Sequence, residues 1–188
     1  MDSPYQNLKA SVTLSQLVLV DMQVRLASVM PPDAMTEVIK NCGILVQAAS
    51  MLNVPLMLTE QYPKGLGHTV PALSALLAHI QPVEKTTFSC LAAPKFKRQL
   101  TRDHSQIILT GMEAHICILQ TALDLVTAGK QVFVVEDAVV SRNPANKVNA
   151  LARLRDAGCI VTNTESLVFE WLGAAEGDAF KVLAKLIR

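Results

Sequence analysis

The 188-residue chain has few aromatic side chains, no excess of charge of either sign and no long apolar run. Aromatic residues make up 4% of it, and 17 Lys and Arg residues against 16 Asp and Glu residues leave a formal net charge of +1. A balanced charge creates no global attraction to nucleic acid or acidic lipid, so any partner is expected to be recognised locally. Charges or prolines interrupt each apolar stretch before the roughly 18 residues that a membrane-spanning helix needs.

No two cysteines are close enough in sequence to form a CxxC pair. Cys42, Cys90, Cys117 and Cys159 are separated by 48, 27 and 42 positions, which argues against a zinc knuckle and a thioredoxin-like redox couple. We expect free thiols in a reducing compartment. The N-terminal stretch has an acid at position 2 and an apolar run interrupted by Asp21, unlike a secretory signal, so a cytoplasmic protein is expected.

Hydrophobic residues make up 51% of the chain, enough for one sizeable core, and they occur in two alternating patterns. Short β-branched runs with the length of buried strands lie at 17–21, 54–59, 106–110, 131–136 and 159–162. Apolar residues spaced by three and four positions predict helices at 35–52, 70–79, 94–102, 116–128 and 144–157.

Alternation of strands and helices without a long linker predicts right-handed crossovers. The expected architecture is α/β, with a mostly parallel sheet covered by helices on both faces, in one domain spanning residues 1–188. In such sheets the ligand crevice lies at the carboxyl ends of the strands. Residues at those ends are therefore the candidates for chemistry.

Two charged residues lie where β-favouring runs end. Asp21 closes the run LVLVD, where a buried carboxylate is costly without a partner, although it could also be a turn residue that accepts backbone hydrogen bonds. Gln23 could orient Asp21 or be a polar loop residue. Lys85, in PVEKTTFS, could support a thiolate, or could be a solvated lysine paired with Glu84.

Cys117 lies a few residues after a predicted strand that runs into Gly111. This position places the thiol near the first turn of a helix, where free N–H groups and the positive dipole end favour a thiolate. We therefore expect a lowered thiol pKa, and the same N–H groups could receive an oxyanion. The alternative is a buried structural cysteine, which is the role expected for Cys42 and Cys159.

Three motifs occur together in a fixed order: VLVDMQ at 18–23, EKTTFS at 84–89 and LTGMEAHICILQTALDL at 109–125. Their order and spacing resemble the isochorismatase-like cysteine hydrolase superfamily, which includes nicotinamidases and N-carbamoylsarcosine amidases. The pattern Gly-x-Glu-x-His-x-Cys-x-x-x-Thr-Ala is the most specific of the three signals. The resemblance covers residues 17–169 and implies a three-layer αβα, Rossmann-like fold with a mostly parallel six-stranded sheet.

The resemblance also implies a catalytic triad of Asp21, Lys85 and Cys117. Asp21 would act as general base, Lys85 would support the thiolate, and Cys117 would attack an amide-like carbonyl carbon. A cis peptide bond between Met112 and Glu113 is implied as well, with the backbone N–H groups of Glu113 and Cys117 forming an oxyanion hole. A homo-oligomer is a further implication.

The segment LTEQYPKGLGHTVPAL departs from the nicotinamidase pattern of a metal-binding Asp with histidines. Glu60 and His68 are too few ligands for a zinc site, so we expect no metal, no other cofactor and a substrate other than nicotinamide. Cys117 argues against vinyl ether hydrolysis, because true isochorismatases have no cysteine at that position.

Gln23, Tyr62 and His115 are the candidate residues of the substrate pocket. Tyr62 begins a loop rich in Pro and Gly that could wall the pocket or be an ordinary surface turn. His115 precedes Cys117 by two positions and could act as a base, but packing or helix capping is the expected role.

Together these features predict a metal-independent cysteine hydrolase that cleaves a small amide-like (C–N) substrate through a thioester intermediate. Two other classes stay open. A non-catalytic interaction protein would bind a partner through the crevice or the helical C-terminus at 174–188. A redox-sensing protein would oxidise Cys117 reversibly without hydrolysing an amide.

Overall fold

One parallel sheet forms the centre of the molecule. The computed structural model describes residues 8–101 and 103–187, and within them six strands pair in the order β3-β2-β1-β4-β5-β6, all parallel. The strands are β1 (Ser15–Val20), β2 (Leu56–Gln61), β3 (Val83–Lys85), β4 (Gln106–Met112), β5 (Gln131–Val140) and β6 (Ile160–Thr162). The α/β class and the six-stranded sheet are confirmed.

Helices cover both faces of this sheet. They are α1 (Val24–Ala27), α2 (Pro32–Met51), α3 (Pro63–Leu66), α4 (Pro71–Ser74), α5 (Pro94–Gln99), α6 (Leu119–Thr127), α7 (Pro144–Asp156), α8 (Thr164–Leu172) and α9 (Gly177–Ile187). A π-helical turn (Ala114–Ile118) follows β4 and leads directly into α6.

Successive side chains of the central strand β1 point to opposite faces of the sheet. Leu17 and Leu19 belong to an apolar cluster with α2, α8 and α9, whereas Val18 and Val20 belong to a second cluster with α5, α6 and α7. Because both faces of the central strand are buried, functional groups are placed at the strand ends.

Strand β4 approaches β1 closely at the carboxyl end of the sheet. Gly111 pairs with Val20 and has a φ of 111°, and a Cβ atom at this position would lie 2.0 Å from the Val20 carbonyl oxygen. Only glycine fits such an approach. It brings the segment that precedes Cys117 against the strand that ends beside Asp21.

The helix predicted at 70–79 is wrong beyond its first turn. Helix α4 ends at Ser74, and hydrogen bonds from residue i to i−3, such as Leu77 N–H to the Ser74 carbonyl, follow it. These tighter turns keep Leu73 and Leu77 buried and lead the chain into β3. Tertiary packing has overridden the helical spacing.

Most other elements lie within a few residues of their predicted bounds. Strand β5 continues to Val140, beyond the predicted end at 136, and the helix predicted at 116–128 begins inside the π-helical turn. The structure does not describe residues 1–7, Arg102 and Arg188. The prediction that the N-terminus is unlike a secretory signal rests partly on residues 1–7. The predicted ends of the helix at 94–102 and of the helical C-terminus at 174–188 fall on Arg102 and Arg188. Within residues 8–101 and 103–187, no helix combines the length and apolarity required to cross a membrane.

Candidate active site

Three segments that end strands meet on one side of the sheet. Asp21 directly follows β1, Lys85 is the last residue of β3, and Cys117 lies in the π-helical turn after β4. Strand β2 separates β3 from β1, so the long Lys85 side chain spans the intervening strand to reach Asp21. The structure therefore brings together the three residues proposed as a triad.

The triad is a buried ion pair beside a thiol. Lys85 Nζ lies 2.6 Å from Asp21 Oδ2 and 3.7 Å from Cys117 Sγ. The side chains of Asp21 and Lys85 are fully buried, and Cys117 is 6% exposed. Thr59 Oγ1 donates to Asp21 Oδ1 at 2.7 Å, and Gln61 Oε1 accepts from Lys85 Nζ at 2.7 Å. Both charges thus have the polar partners that burial requires.

Asp21 has a left-handed backbone conformation. Its φ is 51°, and its N–H donates to the Thr59 carbonyl at 3.1 Å. A non-glycine residue in this region is uncommon, and such residues cluster at functional sites. The carboxylate is bound by the side chains of Lys85 and Thr59, so the alternative role of a turn residue capping backbone donors does not fit.

Lys85 is held in its charged form despite its burial. Burial lowers the pKa of a lysine, but the charge of the Asp21 carboxylate and the hydrogen bond to it raise it, and the pKa of Lys85 lies above its usual value. The alternative of a solvated lysine paired with Glu84 is wrong, because the ammonium group is bonded to Asp21.

The surroundings of Cys117 favour the neutral thiol over the thiolate. Burial raises the pKa of Cys117, the charge of Asp21 and a hydrogen bond with it raise it further, and the charge of Lys85 lowers it; the net pKa is raised. This direction is opposite to the expected lowering of the thiol pKa, because burial and the Asp21 carboxylate outweigh the charge of Lys85. A base must take the thiol proton when the sulfur attacks.

The segment between β4 and the π-helical turn has the implied backbone geometry. The Met112–Glu113 peptide bond is cis. The Glu113 carboxylate accepts the backbone N–H and the Nε of Arg142 at 2.9 and 3.2 Å, and the Glu113 carbonyl accepts the Ile116 N–H at 3.1 Å. These bonds fix Glu113, whose N–H is a predicted oxyanion donor together with that of Cys117.

Gln23 holds a loop and makes no bond to the triad carboxylate. Its side-chain Nε2 donates to the carbonyls of Gln61 and Gly67 at 2.9 and 2.6 Å, and its Oε1 accepts the Gln61 N–H at 2.7 Å. Gln23 is fully buried. The interpretation that it orients Asp21 is therefore wrong, and its contribution is to fix the loop that follows β2.

A pocket of about 430 Å³ adjoins Lys85. Its lining consists of Tyr62, Pro63, Lys64, Glu84, Lys85, Thr86, Thr87, Ala92, Ala93 and Pro94. Tyr62 is 55% exposed, whereas His115 hydrogen-bonds the buried Ser141 through Nδ1 at 2.9 Å. Of the three predicted pocket residues, Tyr62 lines this pocket, and Gln23 and His115 do not. The nucleophile Cys117 is not part of the lining either.

Glu60 and His68, which the resemblance places in the region of the nicotinamidase metal site, form hydrogen bonds within the protein. Glu60 accepts from His68 Nδ1 at 3.0 Å and from the N–H and Oγ1 of Thr69 at 2.7 and 2.8 Å. Burial raises the pKa of Glu60, but these hydrogen bonds hold it below its usual value. In the part of the chain that the structure describes, no three His, Cys, Asp or Glu side chains are placed to hold a metal ion together.

Sequence reasoning missed three neighbours of the triad, namely Thr59, Gln61 and Cys90. Thr59 and Gln61 occupy alternate positions of β2, and strand periodicity places them on one face of the sheet. Two polar residues at that spacing near the end of an apolar strand were the available signal. Cys90 is fully buried, with Sγ 3.9 Å from Thr59 Oγ1.

Comparison with known proteins places this chain in a family. A family model described as the isochorismatase domain matches residues 15–166. Isochorismatase domain-containing protein 2 of Bos taurus is 39% identical over 174 residues, which cover 93% of this chain and 83% of that protein. The secreted isochorismatase effector Isc1 of Phytophthora sojae is 40% identical over 157 residues, covering 80% of this chain and 74% of that protein.

Solved structures show the same relationship. MAR1 ribonuclease from Caenorhabditis elegans has a TM-score of 0.88 at 39% identity, covering 95% of this chain and 92% of that one. The YcaC gene product of Escherichia coli, an octameric hydrolase of unknown specificity, has a TM-score of 0.88 at 24% identity over 99% of this chain and 91% of that one, which shows a shared fold. The matched range 15–166 spans the positions of Asp21, Lys85 and Cys117. The chain belongs to the isochorismatase family.

Proposed function

We propose that the protein is a cysteine hydrolase that cleaves a small amide-like (C–N) substrate through a covalent thioester. The observation that carries this proposal is the buried cluster in which Lys85 Nζ lies 2.6 Å from Asp21 Oδ2 and 3.7 Å from Cys117 Sγ. A nucleophile, a base and a fixed positive charge within contact distance are the requirements for attack on an acyl carbon.

In the first half-reaction, Cys117 Sγ attacks the carbonyl carbon while its proton passes to Asp21. The raised pKa of the thiol makes this transfer necessary, because little thiolate is present beforehand. The C–N bond then breaks, and the leaving nitrogen takes the proton from Asp21. The products of this step are a free amine, or ammonia, and a thioester on Cys117.

The negative charge that develops on the carbonyl oxygen is assigned to the backbone N–H groups of Glu113 and Cys117. Donors that are fixed before the reaction stabilise such a charge without reorganisation. The bonds of Glu113 to Arg142 and Ile116 support this assignment, because they hold the Glu113 backbone in place. Lys85 keeps its positive charge next to the reacting sulfur throughout.

In the second half-reaction, a water molecule attacks the thioester carbon and gives its proton to Asp21. The C–S bond breaks, the proton returns to the Cys117 sulfur, and a carboxylic acid leaves. Asp21 therefore acts as a base twice and as an acid twice in one turnover. None of these steps calls for a redox change.

The proposed reaction needs no metal ion or other cofactor. The side-chain oxygens of Glu60 and Gln61 on β2 already have hydrogen-bond partners within the protein. Gln61 Oε1 accepts from Lys85, and the two oxygens of Glu60 accept from His68 and Thr69. Tyr62 is proposed as a wall of the substrate pocket. Gln23 is proposed to support that wall from behind through the loop after β2.

Replacement of the nucleophile tests the proposal. Cys117→Ala should abolish the release of amine from a panel of small amides and ureido compounds and should leave the thermal unfolding temperature nearly unchanged. Cys159→Ala is the matched control, because Cys159 has the same exposure of 6% but lies away from Asp21 and Lys85, and it should keep full turnover. Equal amine release by both variants would refute the assignment.

The same preparation should be assayed against RNA, because the C. elegans protein with a TM-score of 0.88 is named a ribonuclease. We expect no cleavage of RNA that depends on Cys117, since the chain carries a formal net charge of only +1 and a polyanion would gain little from it. If RNA is cleaved and Cys117→Ala loses this cleavage, the proposed substrate bond changes from an amide to a phosphodiester.

We further propose that the protein is cytoplasmic and forms a homo-oligomer.

A further inference from the structure

A chain of hydrogen bonds reaches the proposed base at the carboxylate oxygen that Lys85 does not bind. Asp21 Oδ2 is bonded to Lys85, and Asp21 Oδ1 accepts from Thr59 Oγ1 at 2.7 Å. An ionised carboxylate has no proton to donate, so the hydroxyl proton of Thr59 must point to Asp21. The lone pairs of the Thr59 oxygen then face away from Asp21 and are free to accept.

Cys90 supplies the donor for that oxygen. Its Sγ lies 3.9 Å from Thr59 Oγ1. Burial and the charge of Asp21 raise the pKa of Cys90 to about 11, so its thiol carries a proton at neutral pH and can donate it. The direction of both hydrogen bonds is therefore fixed, from Cys90 to Thr59 and from Thr59 to Asp21.

The far end of this chain is anchored on the helix that follows the nucleophile. The backbone N–H of Cys90 donates to Thr121 Oγ1 at 2.9 Å, and Thr121 lies on α6, four residues after Cys117. Cys90, Thr59 and Thr121 are all fully buried, so water does not compete for these bonds. These buried groups therefore connect the base Asp21, through Thr59, with the helix that follows the nucleophile Cys117, through Thr121.

We propose that Thr59, oriented by Cys90, is a positioning residue that holds the Asp21 carboxylate in the rotation needed to take the Cys117 proton. The proposal rests on the hydrolase function above. The terminal torsion of an aspartate is broad and roughly twofold, so one bond to Lys85 does not by itself define the plane of the carboxylate. The second bond, from Thr59, defines it.

The positioning role of Thr59 predicts a specific effect on the kinetics. Thr59 does not line the pocket beside Lys85, so its loss should leave substrate binding unchanged and slow the proton transfers. Because a hydrogen bond to a charged group is lost, the expected fall in kcat is about tenfold, with KM within about twofold of the natural protein. Thr59→Ser keeps the hydroxyl and should restore kcat to within about threefold.

The test uses p-nitrophenyl acetate, a chromogenic ester that acylates a reactive thiol whatever the physiological substrate is. The initial burst of p-nitrophenolate reports acylation of Cys117, and the later steady rate reports hydrolysis of the thioester. Both rates are expected to fall in Thr59→Val, since Asp21 takes a proton in each half-reaction. Cys90→Ala should cause a smaller fall, of about threefold, because it removes only the donor to Thr59.

Thr110→Val is the matched control. Thr110 is a fully buried threonine on β4, its Oγ1 donates to the Val18 carbonyl, and its side chain also bonds Cys42 on the opposite face of the sheet. It should lose stability much as Thr59→Val does and keep the full burst and steady rates. If Thr59→Val does not fold, Thr59→Ser and Cys90→Ala still report the hydroxyl and its donor.

The outcomes separate this proposal from the function on which it rests. A normal burst and steady rate in Thr59→Val, or a Thr59→Ser variant as slow as Thr59→Val, would refute the positioning role while the hydrolase function stands. A raised KM with unchanged kcat would refute it too. A natural protein that releases no more p-nitrophenolate than Cys117→Ala would instead overturn both the hydrolase function and the positioning role.

Discussion

Asp21 and Lys85 form an ion pair that is fully removed from water. Lys85 Nζ is further surrounded by the carbonyl oxygens of Thr87 and Phe88, at 3.3 and 3.4 Å. Removing one partner of a buried pair leaves an uncompensated charge and costs about 3–5 kcal/mol of stability. Substitutions in the triad must therefore be read together with an unfolding curve before any loss of activity is assigned to chemistry.

Replacing Asp21 by Asn should make Cys117 more reactive toward alkylation while abolishing hydrolysis. The Asp21 charge and its hydrogen bond raise the pKa of the thiol, and Lys85 lowers it. Asp21→Asn removes the negative charge that raises the thiol pKa and keeps the positive charge of Lys85 that lowers it. The pKa of Cys117 therefore falls, and more thiolate is present at about pH 8. Each unit of fall raises the thiolate fraction about tenfold well below the pKa.

The measurement is the rate of iodoacetamide labelling of each cysteine, followed by peptide mass mapping across pH. Cys159 is the internal control, since burial alone raises its pKa to about 11 and its labelling should be the same in both proteins. Slower labelling of Cys117 in Asp21→Asn would contradict the assigned balance of charges.

Their positions near strand ends made Asp21, Lys85 and Cys117 candidates for chemistry, but their grouping as a triad came from the resemblance of the three motifs to a known family. The direction of the Cys117 pKa could not be predicted, since it depends on how far Asp21 and Lys85 lie from the sulfur and on how much water reaches it. Thr59 was missed for a related reason. A threonine is also a common strand residue, and its hydroxyl becomes informative only when Asp21 is known to face it.

The loop from Tyr62 to Gly67 is a fixed element, although its composition is that of an ordinary turn. Tyr62 has a φ of 37°, and its ring lies over Gly65, where a Cβ atom would approach the ring to 2.3 Å. Arg25 Nη1 donates to the Gly65 carbonyl at 2.7 Å, and Gln23 holds Gly67. The position of the Tyr62 ring in the pocket wall is thereby set by the backbone beneath it.

Gly65→Ala should move the Tyr62 ring and change substrate binding more than turnover. The added methyl group overlaps the ring, which must swing away from its place in the wall of the pocket. We expect KM for the best small amide to change by about threefold or more, with kcat nearly constant, since the triad is untouched.

Gly43→Ala is the control, because a Cβ atom at Gly43 would lie 3.7 Å from its nearest neighbour and fits without displacement. Gly43 lies within α2, so alanine there should stabilise the protein by up to about 1 kcal/mol and leave KM alone. An unchanged KM in Gly65→Ala would show that Tyr62 is not part of the substrate-binding wall.

Elements with their own local signals could be predicted closely. Asn143 caps α7 by accepting the Ala145 N–H, and Gly158, with a φ of 89°, follows the end of that helix, as their residue types indicate. The helix at 70–79 and the π-helical turn could not be predicted in this way. No local cap or period distinguishes them from an ordinary helix, and their form goes with packing against other elements, α2 for the first and α7 and β4 for the second.

At the scale of the whole molecule, the site exists only when the sheet is complete. Asp21, Lys85 and Cys117 follow or end three different strands, and β2 must lie between β1 and β3 for Lys85 to reach Asp21. The sequence predicted the parallel topology, and hence the shared edge, from the alternation of strands and helices. It could not predict the order of the strands, which decides the distances between these residues.

The protein should sediment as a species heavier than one chain. The family resemblance implies a homo-oligomer, and the rings of Tyr62 and Phe88, 55% and 54% exposed, are apolar surface that a contact between copies of the chain would cover. Analytical ultracentrifugation over a dilution series is expected to give a mass that is a multiple of 20.4 kDa. A single-chain mass at every concentration would contradict the proposed homo-oligomer.

Both outer strands of the sheet, β3 and β6, are three residues long, whereas the central strands have six to ten. An unpaired strand edge is a template on which another chain can add and begin to aggregate. Three residues offer only about 10 Å of backbone for such pairing. The apolar runs that drive folding are confined to the interior of the sheet, so the native state protects from amyloid-like growth the segments that would be most prone to it.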